Sequence, residues 1–483
     1  MSIKNKYNPV TEKIAQQLRD IVGSQYVIYD DQDAFEAFSH DEIPDRRYAH
    51  MPEVVVRPRT SAAIAEIMKL ANREMIPVTP RGAGSGMSGG AVPIYGGIVL
   101  FCDRMNEILE LDKENMMIVV EPGVVANDIN EFLEPHGLFF AGYPMSMETC
   151  YIGGNVAENA GGGKAVKYGV TSRYVLGLEV VTPKGEIVEL GGKLIKDVTG
   201  YNMIQLMTGS EGTLCVFTKI ILKLMPLPKM QVDLLCLFES AADAVAVVPK
   251  IMTECGIIPT AIEFMDRNSV KAACDYLNET LDYKKAGAML IITVDGSDKE
   301  QVEREYEAIG EMCLSQKAIQ VYVADNSGTS ERVWKIRRNI GEAYNLISKR
   351  QSNEDIVVPP ASIAKAVAKF EELSSKYNIL IPCFGHAGDG NLHARIVSDP
   401  SWSQEYWDEL LPKILTELYG LTAELGGKIS GEHGIGHKRK KYMTNVVSEA
   451  YLDMLRAVKM GLDPNNILNP GKIFDLKSSG EQV

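Results

Sequence analysis

At 483 residues the chain is too long for a single hydrophobic core, and two or three domains are expected. A net charge of -14 excludes nucleic acid or an anionic membrane surface as the main partner, because either needs a dense basic face. Eight cysteines, at 102, 150, 215, 236, 255, 274, 313 and 383, form no Cys-x-x-Cys, which excludes an iron–sulfur cluster or zinc ribbon and leaves reduced core thiols.

The N-terminal stretch MSIKNKYNPVTEKIAQQLRD lacks the apolar core of a signal peptide. Apolar runs such as GAMLIITV are too short to span a bilayer, so no transmembrane segment and a cytoplasmic location are expected. Two amphipathic helices are predicted over the first 50 residues, with Ile14, Leu18, Ile21 and Val22 on one stripe. From Glu53 the pattern turns to strand, helix, strand: EVVVRP, then SAAIAEIMKLANREM with Ser61 as N-cap, then IPVTPRG. Strands follow at GGIVLFC and MMIVVEPG, and a helix at ANDINEFLEPHG. VLGLEVVTPKGEIVEL reads as a hairpin and GTLCVFTKIILKLMPLP as a strand pair ending in a proline-marked linker near Pro228.

After 229 the rhythm is that of a compact α+β domain: QVDLLCLFE, helix, TAIEFMD, helix, AGAMLIITVDG, helix, AIQVYVAD. A helical stretch around ERVWKIRRNIGEAYNLISKR precedes a further helix, then the strands ILIPCFGHAG and NLHARIVS. The last 80 or so residues are mostly helical, broken by GGKISGEHGIGHKRKK and closed by NILNPGKIF. Boundaries are therefore expected at 50/51, 228/229 and 420/421.

PRGAGSGMSGG places Gly82, Gly84 and Gly86 at every second position. Such a loop permits positive φ and leaves backbone N–H groups free to cradle a phosphate. It matches neither the P-loop nor the helix-opening G-x-G-x-x-G. A second glycine-dense segment, PMSMETCYIGGNVAENAGGGKAVKYG, supplies Gly153, Gly154, Asn155, Asn159 and the run Gly161 to Gly163.

With TGSEGTLCVFT, HAGDGNLH, GEHGIG and NPGKI added in order over nearly the whole chain, the sequence resembles the flavoprotein family of vanillyl-alcohol oxidase fold. The branch it is most similar to holds D-lactate dehydrogenase, glycolate oxidase and D-2-hydroxyglutarate dehydrogenase. The resemblance implies an α+β fold: a two-part FAD-binding domain (PCMH type) over 51–228, an α+β cap with an antiparallel sheet over 229–420, and a C-terminal helical segment returning to the flavin. It implies that Arg81, Gly82, Ala83, Gly84, Ser85, Gly86, Met87 and Ser88 wrap the FAD pyrophosphate. Pro144, Met145, Ser146, Thr149, Gly153, Gly154, Asn155, Ala157 and Asn159 are then expected to line the flavin. Glu211 and Gly212 are expected at the adenosine half, and Asn469 at the isoalloxazine. With no histidine from 82 to 90, the FAD is expected to be non-covalent.

HAGDGNLH reads as a tight hairpin that brings His386 and His393 to one sheet end, where both imidazoles point at one metal. GEHGIGH offers Glu432 as third ligand, and His, His, Glu with an open position suits a divalent Zn, Mn or Fe. The resemblance gives the same ligands and makes His433 the base. His437 and the basic run after it, through Lys441, read as a solvated face or a docking patch. In VWKIRRNIG, Arg337 matches the arginine that relatives set against the substrate carboxylate, with adjacent Arg338 as the other choice. Dicarboxylate-using relatives carry a lysine where this chain has Asn353. That departure favours a small monocarboxylate such as D-lactate, although Arg395 is placed to compensate.

The reading that results is an FAD-dependent D-lactate dehydrogenase, with glycolate or D-2-hydroxyglutarate as alternative substrates. Lacking cluster cysteines and an NAD site, the chain is expected to pass electrons to an electron-transfer flavoprotein or an iron–sulfur partner subunit within a hetero-oligomer. Relatives in anaerobic bacteria form such electron-bifurcating complexes. Two other classes compete: a metallohydrolase using the His/His/Glu set, and a flavin-binding subunit without chemistry of its own.

Overall fold

The computed structural model describes residues 6–279 and 285–477, and the chain divides into two compact units. The first contains the residues up to 161, 170–227 and those from 432 onward; the second contains 162–169 and 228–431. The outermost ends of the expected terminal segments lie outside the described residues.

In the first unit, β1 (Val27–Tyr29), β2 (Val54–Val56), β3 (Val78–Arg81) and β4 (Ile98–Phe101) form a sheet ordered β1-β2-β4-β3, with β2, β4 and β3 parallel. The central strands β2 and β4 read as continuous apolar runs because both faces are covered. Val54, Val56, Ile98 and Leu100 pack under the helices Glu12–Val22 and Ser61–Glu74, while Val55 and Val99 meet Phe35. The N-terminal residues before the boundary expected at 50/51 share this core, through Ile14 and Leu18. Thr60, not Ser61, caps the second helix, its side chain accepting from the N–H of Ala63.

A second, antiparallel sheet joins β5 (Ile108–Asp112), β6 (Met117–Val120), β8 (Val175–Val181), β9 (Ile187–Gly191) and β10 (Val216–Lys223) in the order β5-β6-β10-β8-β9. The expected hairpin is β8–β9. The expected strand pair at 212–228 is instead the single strand β10, after which β11 (Met225–Pro226) leaves to pair with β7 (Leu138–Phe139). No turn residues interrupt that run, so it cannot fold back on itself.

The second unit is built on a seven-stranded antiparallel sheet of β12 (Met230–Phe238), β13 (Ala261–Asp266), β14 (Ala288–Gly296), β15 (Ala318–Ala324), β16 (Gln351–Val357), β17 (Cys383–His386) and β18 (Asn391–Val397). Its order is β15-β12-β14-β13-β17-β18-β16. Alternate residues share a face. The face bearing Leu235, Ile291, Met265 and Phe384 is covered by the helices Arg267–Leu277, Ser327–Arg338 and Ile340–Ile347. The break expected at 420 falls at 431, because Lys428 pairs with Val357 and Asp355 accepts from the N–H of Gly431. Seven of the eight cysteines are buried. Among the described residues no helix is long and apolar enough to cross a membrane.

Candidate functional site

The first glycine loop leaves the carboxyl end of parallel strand β3, the edge at which open α/β sheets offer a ligand crevice. Arg81 folds back over it: its Nη1 and Nη2 donate to the carbonyls of Ala91 and Ala37, and a Cβ on Gly84 would stand 2.2 Å from its Nη2. Gly84 also takes φ +78°, so no other residue fits there. The second loop runs into the helix Ile152–Glu158, and Gly82 approaches its Tyr151 and Gly154. Gly153 is packed on Pro122, whereas Gly154 faces open space with nothing within 4 Å of a Cβ. A cradle whose glycine faces outward from its own fold, beside a second glycine loop, fits a cofactor that approaches backbone closely.

The remaining expected flavin residues divide. Asn159 caps the second loop's helix in the left-handed conformation, and its Oδ1 accepts from the N–H of Ser172. Asn155 is buried and donates to Cys150 Sγ. Asn469 is held by its N–H on the carbonyl of Val78 and donates from Nδ2 to the carbonyls of Gly90 and Glu211. Glu211 and Asn469 thus meet at one place. Gly212 sits beside them against Pro80.

Around this junction is a cluster of charges missed in the sequence. Glu211 accepts from the N–H groups of Ile435 and Gly436 at 2.7 and 2.6 Å. The Lys472 ammonium is buried on the carbonyl of Val92 and Asn469 Oδ1. Burial pushes its pKa down to about 7, against the attraction of Asp41 and Glu211. Arg439 is also fully buried, donating to the carbonyls of Met87 and Gly434, and Lys438 is buried nearby. Lys438 and Arg439 are therefore not part of the solvated face that composition suggested for the run, whereas Lys441 is exposed. His437 itself is half-buried, and burial together with Lys440 and Lys472 pushes it down to about 4. Glu432 and His433 precede this turn, with His433 Nε2 3.7 Å from Glu432 Oε1.

In the second unit, β17 and β18 form the expected hairpin, with His386 opposite Asn391 and Phe384 opposite His393. The two imidazoles share one face of the sheet, their rings 5.6 Å apart and nearly perpendicular. Gly390 takes φ +87° in the turn, and a Cβ there would stand 1.9 Å from the carbonyl of Val358. The turn's glycine thus serves close approach as well as chain reversal.

Two carboxylates that sequence reasoning missed organise these histidines. Glu263 stands opposite His386 on β13 and is fully buried. One of its oxygens meets His386 Nδ1 at 2.5 Å and the other accepts from Arg337 Nε at 2.8 Å. Burial alone would raise this carboxyl, but the charges and hydrogen bonds of His386 and Arg337 outweigh it and hold it below the usual range. A carboxylate on Nδ1 leaves Nε2 as the ligating nitrogen, the usual second partner of a metal-bound histidine, so the donors fit a divalent metal. Asp355 stands opposite His393 on β16, 3.9 Å from its Nδ1, and accepts from Asn391 Nδ2, Ser430 Oγ and the N–H of Gly431. It therefore anchors the chain one residue before Glu432. Neither partner is adjacent to its histidine in sequence; only the strand register joins them.

Of the adjacent arginines, Arg337 is the inward one, buried with its guanidinium over the ring of Phe384. Arg338 is exposed and paired with Glu331. Arg337 spends Nε on Glu263, and its two terminal nitrogens make no hydrogen bond among the described residues. Arg395 lies two residues beyond His393 on the same sheet face, opposite Asn353. It is buried and donates to the neutral oxygens Gln351 Oε1 and Asn345 Oδ1, and burial lowers its pKa to about 10.

The chain matches the model of FAD linked oxidases, C-terminal domain, over residues 227–473, and that of an FAD binding domain over 52–191. It is 38% identical over 466 residues to the glycolate oxidase subunit GlcD of Bacillus subtilis, covering 96% of this chain and 97% of that one. It is 37% identical to a D-lactate dehydrogenase of Anaerostipes hadrus, covering 97% and 98%, and 36% identical to a D-lactate dehydrogenase of Archaeoglobus fulgidus, covering 91% and 95%. Among solved structures, p-cresol methylhydroxylase with substrate bound superposes with a TM-score of 0.79 at 18% identity, covering 97% of this chain and 98% of that one, a likeness of fold.

Proposed function

Because the chain belongs to the FAD-linked oxidoreductase family of the D-lactate dehydrogenases and glycolate oxidase subunits, we propose that it oxidises a small D-2-hydroxy acid, D-lactate, to the 2-oxo acid. The observation that carries this reading is Glu263. One buried carboxylate holds both a histidine suited to a metal and an arginine suited to a carboxylate, the two groups a 2-hydroxy acid needs side by side.

In this reading Arg81 to Ser88, Pro144, Met145, Ser146, Thr149, Gly153, Gly154, Asn155, Ala157, Asn159, Glu211, Gly212 and Asn469 hold FAD without a covalent bond, and His386, His393 and Glu432 hold a divalent metal. The FAD supplies a hydride acceptor and the metal a Lewis acid. The terminal nitrogens of Arg337 receive the substrate carboxylate as a bidentate pair. The imidazole of His433 takes the hydroxyl proton, which suits a group that titrates at about 6.5 when unperturbed. Glu263 fixes the direction of both His386 and Arg337 and, being buried, keeps them from drifting toward water. The chain's scattered cysteines offer no cluster for the electrons, so the reading includes a separate acceptor: an electron-transfer flavoprotein or an iron–sulfur subunit in a cytoplasmic hetero-oligomer.

A second reading, oxidation of D-2-hydroxyglutarate, has one observation in its favour. Arg395 is a buried cation whose hydrogen bonds among the described residues go to the neutral side chains of Gln351 and Asn345, on the sheet face that carries His393. Anaerobic titration of the flavin with D- and L-lactate, glycolate and D-2-hydroxyglutarate separates the readings. Bleaching by D-lactate is expected; a colourless protein, or one bleached only by the dicarboxylate, defeats the first reading. His433→Ala is expected to retain the flavin and lose bleaching.

A further inference from the structure

Under the turn that follows His433 lie two carboxyl groups, both in the first unit. Glu158 ends the helix Ile152–Glu158, and Glu211 stands in a left-handed turn at φ +51°. Gly434 separates them: a Cβ placed on it would lie 2.0 Å from Glu158 Oε2 and 3.1 Å from Glu211 Oε1. Gly434 has φ +86°, so glycine is required there twice over, for conformation and for room.

The two acids are not equivalent. Glu211 has two backbone donors, the N–H groups of Ile435 and Gly436. Among the described residues Glu158 receives only the Ser88 hydroxyl, at 3.3 Å on Oε1, while its Oε2 is sealed from solvent and has no hydrogen-bond partner there. The rest of the Glu158 side chain keeps some exposure, so it is the carboxyl end that is enclosed. It also sits at the C-terminal end of its helix, where the dipole disfavours a negative charge. Facing it are Glu211, Asp41, Arg439 and Lys472. Burial, then the charge of Glu211, pushes Glu158 well up from the ordinary carboxyl range, and Asp41 adds to this against Arg439.

The turn is gripped from both sides of these acids. The carbonyl of Ser88 accepts from the N–H groups of His437 and Lys438, both at 3.0 Å, and the hydroxyl of the same serine reaches Glu158. Glu211 holds Ile435 and Gly436 from the other side. We propose that Glu158 is a positioning residue that works as a neutral carboxylic acid, wedged against Gly434 so that the turn carrying Glu432 and His433 is held between Ser88 and Glu211. Loss of the Glu158 proton sets two negative charges across one glycine and loosens the turn.

The proposal rests on the catalytic role read for His433, and its test has one arm that does not. Glu158→Gln is a permanently neutral isostere, while Glu158→Ala removes the wedge. In the holoenzyme, flavin reduction by D-lactate is expected to keep a rate within about threefold of wild type at neutral pH in E158Q and to fall by about tenfold or more in E158A. The alkaline fall of the wild-type rate is expected to move upward in E158Q. In the second arm, without substrate, the Tm of wild type and E158Q is followed against pH. A carboxyl whose pKa is raised by folding gives stability that is lost as pH rises through the folded value. The Tm of E158Q is therefore expected to overtake that of wild type by several degrees on the alkaline side. Parallel Tm curves, or an E158Q rate as low as that of E158A, overturn the proposal. If D-lactate reduces no flavin in wild type, the function reading falls and the Tm arm still decides Glu158.

Discussion

In the first unit the candidate positions lie on loops whose shape the backbone sets: Gly84, Gly89, Gly434 and Gly436 take positive φ, and carbonyls and N–H groups do most of the bonding. In the second they stand on β-strands, and side chains from neighbouring strands do the bonding, Glu263 to His386 and Asp355 beside His393. A loop locus fails when a Cβ or a charge is added; a sheet locus fails when a partner is removed. The largest expected effect belongs to the second kind. Glu263→Ala leaves Arg337 and His386 buried without their shared counter-charge, and breaking such a pair costs about 3–5 kcal/mol. Urea unfolding is expected to show that loss, and equilibrium dialysis a fall in divalent-metal affinity of about 10- to 100-fold. Unchanged metal affinity would separate Glu263 from the histidine site.

Gly434→Ala tests the first kind. The added Cβ would stand 2.0 Å from Glu158 Oε2 at φ +86°, and conformational strain of this sort costs about 1–3 kcal/mol. A lower urea midpoint is expected, with part of the loss recovered in a Gly434→Ala/Glu158→Ala double variant, where the collision is gone. No recovery would mean that φ alone requires the glycine.

The same contrast explains what was legible in the sequence. Glycine loops leave a local signature, so the segments at 82–90 and 153–163 stand out from composition and spacing alone. The hairpin at 386–393 is equally visible, because turn and histidines fall within eight residues. Glu263 lies 123 residues from His386, and nothing in AIEFMD distinguishes it from the strand's other acid, Asp266, or from an acid facing water. Only the register of β13 on β17 selects it. The basic run after His437 misled for a related reason. Composition favours solvent for Lys438 and Arg439, but the carbonyls of Met87 and Gly434 give Arg439 buried acceptors that composition cannot register. The strand β10 was misdivided because a long alternating run has no mark of where its partner changes.

Asp266 sharpens the comparison from within the sheet unit. Like Glu263 it is an acid on β13, but it is only half-buried and among the described residues has no cation: it caps the helix Arg267–Leu277 through the N–H of Ser269 and accepts from the N–H of Cys383. Burial raises its pKa to about 6, with those hydrogen bonds opposing. The folded form then holds a proton up to about pH 6 that the unfolded chain releases near pH 4. Its contribution to stability is full below about pH 4 and lost as pH rises through 6. Asp266→Asn is expected to flatten the decline of unfolding free energy across that window by roughly 2 kcal/mol, measured by urea unfolding at pH 4 and pH 6.5. An unchanged slope would mean that the two N–H donors win over burial, as the cations do at Glu263.

The smallest effect on stability is expected at Gly154, and for that reason it says most about the loop locus. Its neighbour Gly153 is needed by the fold: a Cβ there would stand 2.6 Å from Pro122, so Gly153→Ala lowers stability with or without a cofactor. Gly154 has no atom within 4 Å of its would-be Cβ and no positive φ, and helical alanine is more stable than glycine by about 1 kcal/mol. The apoprotein of Gly154→Ala is therefore expected to unfold at the same urea concentration as wild type or slightly above it. If the space in front of Gly154 belongs to FAD, the same methyl group weakens reconstitution, read as the fluorescence quenching of added FAD. Stability kept and affinity lost makes Gly154 a glycine held open for the flavin. Both kept moves the flavin away from the second loop, and the expectation for Gly154 and Ala157 falls with it.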